Sequence, residues 1–174
     1  MIVILIGYMG SGKSAIGKKV ARKSKMSILD LDDYIEENEK MSISEIFEKK
    51  GEVYFRKKER EYLEELLESK KSRIISLGGG TPCYGDNMDL ILNATPYVFY
   101  LKASIETLLQ RLKKGKSHRP LIKNIKDDDL PEFVGKHLFE RNFYYMKSHY
   151  IINVDDISRK KAAKKIVKKL QKNT

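Results

Sequence analysis

The string Gly7-Tyr8-Met9-Gly10-Ser11-Gly12-Lys13-Ser14 has the spacing G-x-x-x-x-G-K-[ST], and each of its residue types has a use at a polyphosphate. Glycines at 7, 10 and 12 permit backbone angles that turn successive N–H groups toward one point. A helix starting there adds unsatisfied N–H groups and the positive end of its dipole. Lys13 supplies a full charge for the β- and γ-phosphates, and the Ser14 hydroxyl is placed to ligate Mg2+. A continuous apolar run precedes the string and a helical pattern follows it, the context such a loop requires. The chain is therefore expected to bind a nucleoside triphosphate.

A second group of residues suits a phosphate acceptor. Asp30 and Asp32 end an apolar run, the first within reach of a metal, directly or through water, the second able to face an acceptor hydroxyl. The same acids also read as a helix cap followed by the first-turn acids Asp32, Asp33 and Glu36. Gly78-Gly79-Gly80 costs backbone entropy that a simple connection does not need, and it suits close approach of main-chain N–H groups to a ligand. Arg56, Arg119 and Arg141 stand out from a lysine-rich background, because a planar guanidinium fork matches a carboxylate or phosphate as lysine does not. Arg56 could equally pair with Glu52 or Glu59 at helical spacing. Arg119 precedes Pro120 and is biased toward an extended backbone. Cys83 is expected to be an inert thiol and His118 a solvated loop residue.

The elements that must position these groups alternate. Ile2–Ile6, Ile28–Asp30, Ile74–Leu77, Tyr97–Leu101 and Tyr150–Val154 read as strands covered on both faces. Helical patterns occupy Ser14–Lys25, Ser42–Lys50, Arg56–Lys70, Asp86–Asn93, Ser104–Lys113, Leu130–Ser148 and Ser158–Lys172. The alternation predicts one α/β domain over 1–174 with a parallel sheet. Residues 113–127 have mixed charge and no helical pattern, consistent with a solvated loop or a functional lid. The last helix carries eight basic residues opposite an apolar stripe of Ala162, Ile166 and Leu170, the pattern of a packed helix with a solvated lysine face.

The 174 residues include 35 Lys+Arg, 24 Asp+Glu and a single cysteine, with a net charge of +11. One cysteine makes no internal disulfide, so a reducing cytoplasm is the expected compartment. The longest apolar run, Ile2–Ile6, is far short of the roughly 20 residues of a membrane span, and nothing around it reads as a signal peptide. The guanine-recognition string N-K-x-D and the string D-x-x-G are absent, against a Ras-type GTPase. The third strand runs into Gly78 with no acid, against a motor ATPase. The excess charge permits a nucleic-acid-binding ATPase, but the aromatics cluster at Phe139–Tyr145 rather than along a basic stripe. A small-molecule kinase is the class that remains.

In its ordered motifs the chain resembles the shikimate kinases from Ile2 to about Asp156. The matching strings are Gly7–Ser14, Asp30-Leu31-Asp32, Gly51 to Arg56, Ser76 to Gly80, Arg119-Pro120-Leu121, and Glu140-Arg141 followed by Tyr145. The resemblance implies a three-layer P-loop kinase fold with a five-stranded parallel sheet of order 2-3-1-4-5, flanked by helices, and a mobile lid. It implies ATP-dependent phosphorylation of the shikimate 3-hydroxyl in chorismate and aromatic amino acid biosynthesis, with Mg2+ as cofactor, no nucleic-acid or membrane partner, and a monomeric enzyme. On this likeness Gly10, Ser11, Gly12, Lys13, Ser14 and Ala15 hold ATP, with Arg111 near the adenine and a residue near Asp155–Arg159 completing that end. Ser14 and Asp30 serve the metal. Asp32, Arg56, Gly78, Gly79, Gly80 and Arg141 hold shikimate, the arginines on its carboxylate, while Phe47 and Phe55 line the acceptor region of about 32–62. Lys13, Asp32 and Arg119 are the implied catalytic residues, with Arg119 arriving on the lid. Two positions depart from the usual pattern: Ala15 stands where relatives often have Thr, and Thr81-Pro82-Cys83-Tyr84 is an unusual continuation of the glycines.

Overall fold

In the computed structural model, which describes residues 1–114, 116 and 121–172, five parallel strands form one sheet. They are β1 (Ile2–Ile6), β2 (Ser27–Asp30), β3 (Arg73–Ser76), β4 (Val98–Lys102) and β5 (Tyr150–Asn153), in the order β2-β3-β1-β4-β5. Every side chain of β1 is buried, which is why this central strand reads as Ile-Val-Ile-Leu-Ile without alternation. Leu5 lies opposite Ser76 of β3 and Phe99 of β4, while Asp30 pairs with Ser76 from the other side. The C-terminal ends of β1, β2 and β3 therefore open onto one edge, where a parallel sheet presents its ligands.

Helices α1 (Lys13–Ser24), α2 (Leu31–Glu39), α3 (Ile43–Glu68), α4 (Asn87–Ala94), α5 (Ile105–Lys113), α6 (Leu130–Tyr145) and α7 (Arg159–Lys172) flank the sheet. The stretch expected to hold two helices, Ser42–Lys50 and Arg56–Lys70, is one span broken by Gly51, whose φ of 83° and ψ of 170° are not helical. Arg56 consequently lies within the second half of α3 rather than beginning a helix. Asp32 and Asp33 form the first turn of α2, with Asp30 as its N-cap accepting from the Asp32 N–H. The cap reading of these acids and their position at the cleft are thus both realised.

Ser42 and Ser104 cap α3 and α5 through their hydroxyls, but α1 starts at Gly12 without a side-chain cap. Its first-turn N–H groups are left for a ligand. At the other end of the chain, α7 buries Ala162, Ala163, Ile166 and Leu170 and packs on α1, with its lysines outward. Within the segment expected as a lid, Ile122 is buried and Lys116 pairs with Asp127 at 2.5 Å.

Candidate active site

A cleft of about 680 Å³ runs along the strand ends, and Gly10, Ser11, Gly12, Lys13, Ser14 and Ala15 form one wall of it. The loop turns on Gly10 and Gly12, with φ of 84° and 97°, values that side-chain-bearing residues rarely adopt. Lys13 Nζ donates to the carbonyl of Gly7 at 2.7 Å and of Tyr8 at 3.3 Å, so its ammonium folds back over the loop it serves. Asp30 and Asp32 line the same cleft.

Arg111 also lines the cleft, where it fastens the loop from behind. Its guanidinium donates to the carbonyls of Gly10, Ser11 and Val154, each at 3.2 Å. Ile157, Ser158 and Arg159 continue this end of the wall. Asp155 is occupied elsewhere, accepting from the Ser104 N–H at 2.9 Å.

Gly78, Gly79 and Gly80 face one acceptor candidate each. A Cβ on Gly78 would lie 2.8 Å from a carboxylate oxygen of Asp32, one on Gly79 2.9 Å from an Arg141 guanidinium nitrogen, and one on Gly80 3.1 Å from an Arg56 guanidinium nitrogen. The triplet thus lets the ends of three polar side chains approach the backbone where a Cβ would displace them, and none of its glycines has a positive φ. Burial, with the neighbouring carboxylates of Asp30 and Glu59, pushes the Asp32 carboxyl up to about 7, against the pull of Lys13. Lys13 and Asp32 thus bring the donor wall and the acceptor wall together electrostatically.

The two arginines are aimed differently. Arg56 donates to Glu59 at 2.8 Å and has Glu52 at 3.5 Å, so both helical partners anticipated for it are present and it still reaches the triplet. Glu59 is buried and its other oxygen accepts from the Thr81 hydroxyl at 2.6 Å. Arg141 stands over the ring of Tyr8, 5.6 Å from the centroid, and beside Tyr145, whose hydroxyl donates to the Gly79 carbonyl at 2.6 Å. Phe55 is buried and packs at 4.7 Å on Phe47, which is 37% exposed. Arg119 and His118 lie outside the described residues.

The shikimate kinase family model matches residues 9–171. A shikimate kinase of Flavobacterium psychrophilum is 51% identical over 90% of this chain and 91% of its own length. The chain belongs to the shikimate kinase family. The solved shikimate kinase of Bacteroides thetaiotaomicron superposes with a TM-score of 0.89 at 35% identity, covering 99% of this chain and 97% of that one. The shikimate kinase of Acinetobacter baumannii, solved in complex with shikimate, gives 0.88 at 31% identity, covering 99% and 94%. A gluconokinase of Sinorhizobium meliloti, at 15% identity and a TM-score of 0.56, shares the fold alone.

Sequence reasoning did not single out Glu59, Tyr8 or His137, whose side chains pair with Arg56 and with each other. Glu59 was visible only as a helical neighbour of Arg56, because i,i+3 spacing says that two residues meet but not that the acid is buried. Tyr8 and His137 carried no local signal at all. The residues after the triplet form a 3-10 turn, Thr81–Cys83, and burial pushes the Cys83 thiol up to about 11, in keeping with an inert group.

Proposed function

We propose that this cleft transfers the γ-phosphoryl group of ATP to the 3-hydroxyl of shikimate, giving shikimate 3-phosphate on the route to chorismate and the aromatic amino acids. The observation that carries the assignment of the acceptor is the glycine triplet meeting Asp32, Arg141 and Arg56 in turn, beside Lys13. One carboxylate and two guanidinium forks in that array suit a small ring bearing hydroxyls and a carboxylate.

In this reading the loop amides and the α1 N-terminus bind the phosphates, and Lys13 exchanges its carbonyl partners for phosphate oxygens. Ser14 and Asp30 line one cleft and offer the oxygen donors that Mg2+ prefers. The cap contact uses one Asp30 oxygen, so the carboxylate retains capacity for a metal or its water. Bound there with the triphosphate, Mg2+ would offset its negative charge. Asp32, held near neutrality in its pKa, orients the 3-hydroxyl and accepts its proton. Arg56 and Arg141 hold the carboxylate, with Phe55 and Phe47 against the ring. Arg119 meets the transferring phosphoryl from the 113–127 segment, Arg111 lies toward the adenine, and Ser158 or Arg159 completes that end. Because transfer depends on positioning and charge stabilisation, no covalent enzyme intermediate is needed. We take the chain to act as a cytoplasmic monomer. Among the described residues no helix is long and apolar enough to cross a membrane.

The test is ADP release with Mg-ATP and shikimate, gluconate, AMP or CMP as acceptor, with the product identified by mass spectrometry. Shikimate-dependent turnover that Lys13→Met abolishes is expected. A preference for any other acceptor overturns the assignment.

A further inference from the structure

Arg56 and Arg141 face adjacent glycines, yet only Arg56 is held by acids. Among the described residues, Arg141 makes no ion pair with a carboxylate. Its guanidinium is placed instead by the Tyr145 hydroxyl, to which it hydrogen-bonds, and by the face of an aromatic ring, neither of which offsets its charge with an acid. The ring beneath it belongs to Tyr8, the second residue of the phosphate loop, which is only 1% exposed. The Tyr8 hydroxyl pairs with His137 Nδ1 at 3.1 Å, and the two rings meet edge to face at 5.7 Å. His137 is itself seated against Phe133 at 5.2 Å. It precedes Arg141 by four positions, so the two share one face of α6. Tyr8 is thus gripped at its hydroxyl by the helix that carries Arg141, while its carbonyl accepts from Lys13.

We propose that Tyr8 is a positioning residue for acceptor recognition, with its ring, locked by His137, aiming the Arg141 fork at the acceptor carboxylate. The proposal rests on the reading of Arg141 given above, and it adds that a residue of the nucleotide loop sets acceptor affinity without touching the acceptor. A leucine at position 8 fills much of the space but offers no π face to a guanidinium. Phenylalanine keeps the face and loses only the tie to His137. The two substitutions therefore separate ring from hydroxyl.

The experiment measures Kd by calorimetry for shikimate, for its uncharged carboxamide and for ADP, on wild type, Tyr8→Phe, Tyr8→Leu and His137→Gln. Wild type should bind the carboxamide far more weakly than shikimate. Tyr8→Leu should weaken shikimate about 5- to 20-fold, from the range of cation–π contributions at a desolvated site, with Tyr8→Phe and His137→Gln about 2- to 4-fold. ADP affinity should stay within about twofold of wild type, because the Tyr8 contact with Lys13 is made by main chain. On the carboxamide, the penalty of Tyr8→Leu should largely vanish, since the group that Arg141 would meet is then uncharged. An equal penalty on both ligands overturns the proposal, as does an unchanged shikimate Kd in Tyr8→Leu. Wild type that binds both ligands equally well overturns the underlying reading of Arg141 instead. If Tyr8→Leu loses ADP binding through misfolding, the near-isosteric Tyr8→Phe and the distal His137→Gln decide, and wild-type shikimate affinity in both sinks the idea.

Discussion

Asp32 sits where three carboxyl groups crowd and water is scarce, which raises its proton affinity in the folded chain. The ionised form is therefore disfavoured by its surroundings, against the pull of Lys13. The folded-state value of about 7 lies above the ordinary 3.8, so the folded chain holds this proton more tightly than the unfolded chain and stability falls as pH rises through that window. Asp32→Asn should consequently lower kcat by about 100-fold or more while raising Tm by several degrees at pH 8. Thermal melts beside steady-state assays check both signs, and loss of stability would contradict the crowding. Arg141 has the opposite balance, a charge that makes no carboxylate ion pair among the described residues. Arg141→Ala should weaken shikimate about 10- to 100-fold and ATP by little, as titrations of each ligand would show.

Between elements, the kink at Gly51 separates the first piece of α3 from the second, which carries Arg56. Gly51 lets the chain break, and no atom lies within 4 Å of a Cβ placed there, so its positive φ rather than crowding is the reason for glycine. Glu39 at the end of α2 then ties both halves of the broken helix. It accepts from Tyr54 at 2.7 Å and Tyr62 at 2.9 Å and pairs with Lys50 at 3.3 Å. These donors hold its carboxyl below the usual range. Their stabilisation is present above the ordinary carboxyl value and disappears as pH falls through the lowered one. Glu39→Gln should cost about 1 to 2 kcal/mol at pH 7, and the difference from wild type should shrink in denaturant melts below about pH 4. Gly51 was legible as a break in the sequence. The two helical pieces expected on either side of it are present, the second starting earlier than Arg56.

Across the whole molecule the net charge is +11, and α1 and α7, which pack together, both present basic residues to solvent. Lys18, Arg22 and Lys23 on α1 and Lys164, Lys165 and Lys168 on α7 are all exposed. Like charges on neighbouring helices repel, and salt screens them. Lys164→Gln with Lys168→Gln should raise Tm by about 1 to 3 °C at low ionic strength, a gain that 0.5 M salt, on the order of several ångströms in screening length, should erase in scanning fluorimetry. The phosphate loop could be read from sequence because eight consecutive residues build it, largely from backbone, and the central strands because their short apolar runs are buried on both faces. The glycine triplet could be singled out, but not matched to its three partners. The grouping of Arg56 and Arg141 was implied by the family resemblance, whereas which glutamate is buried beneath Arg56 and how Tyr8 meets His137 from 129 positions away were decided by the tertiary structure alone. Strand order places β3 and β4 on either side of β1. Contacts made through such crossovers follow from packing the entire chain, and no local spacing encodes them.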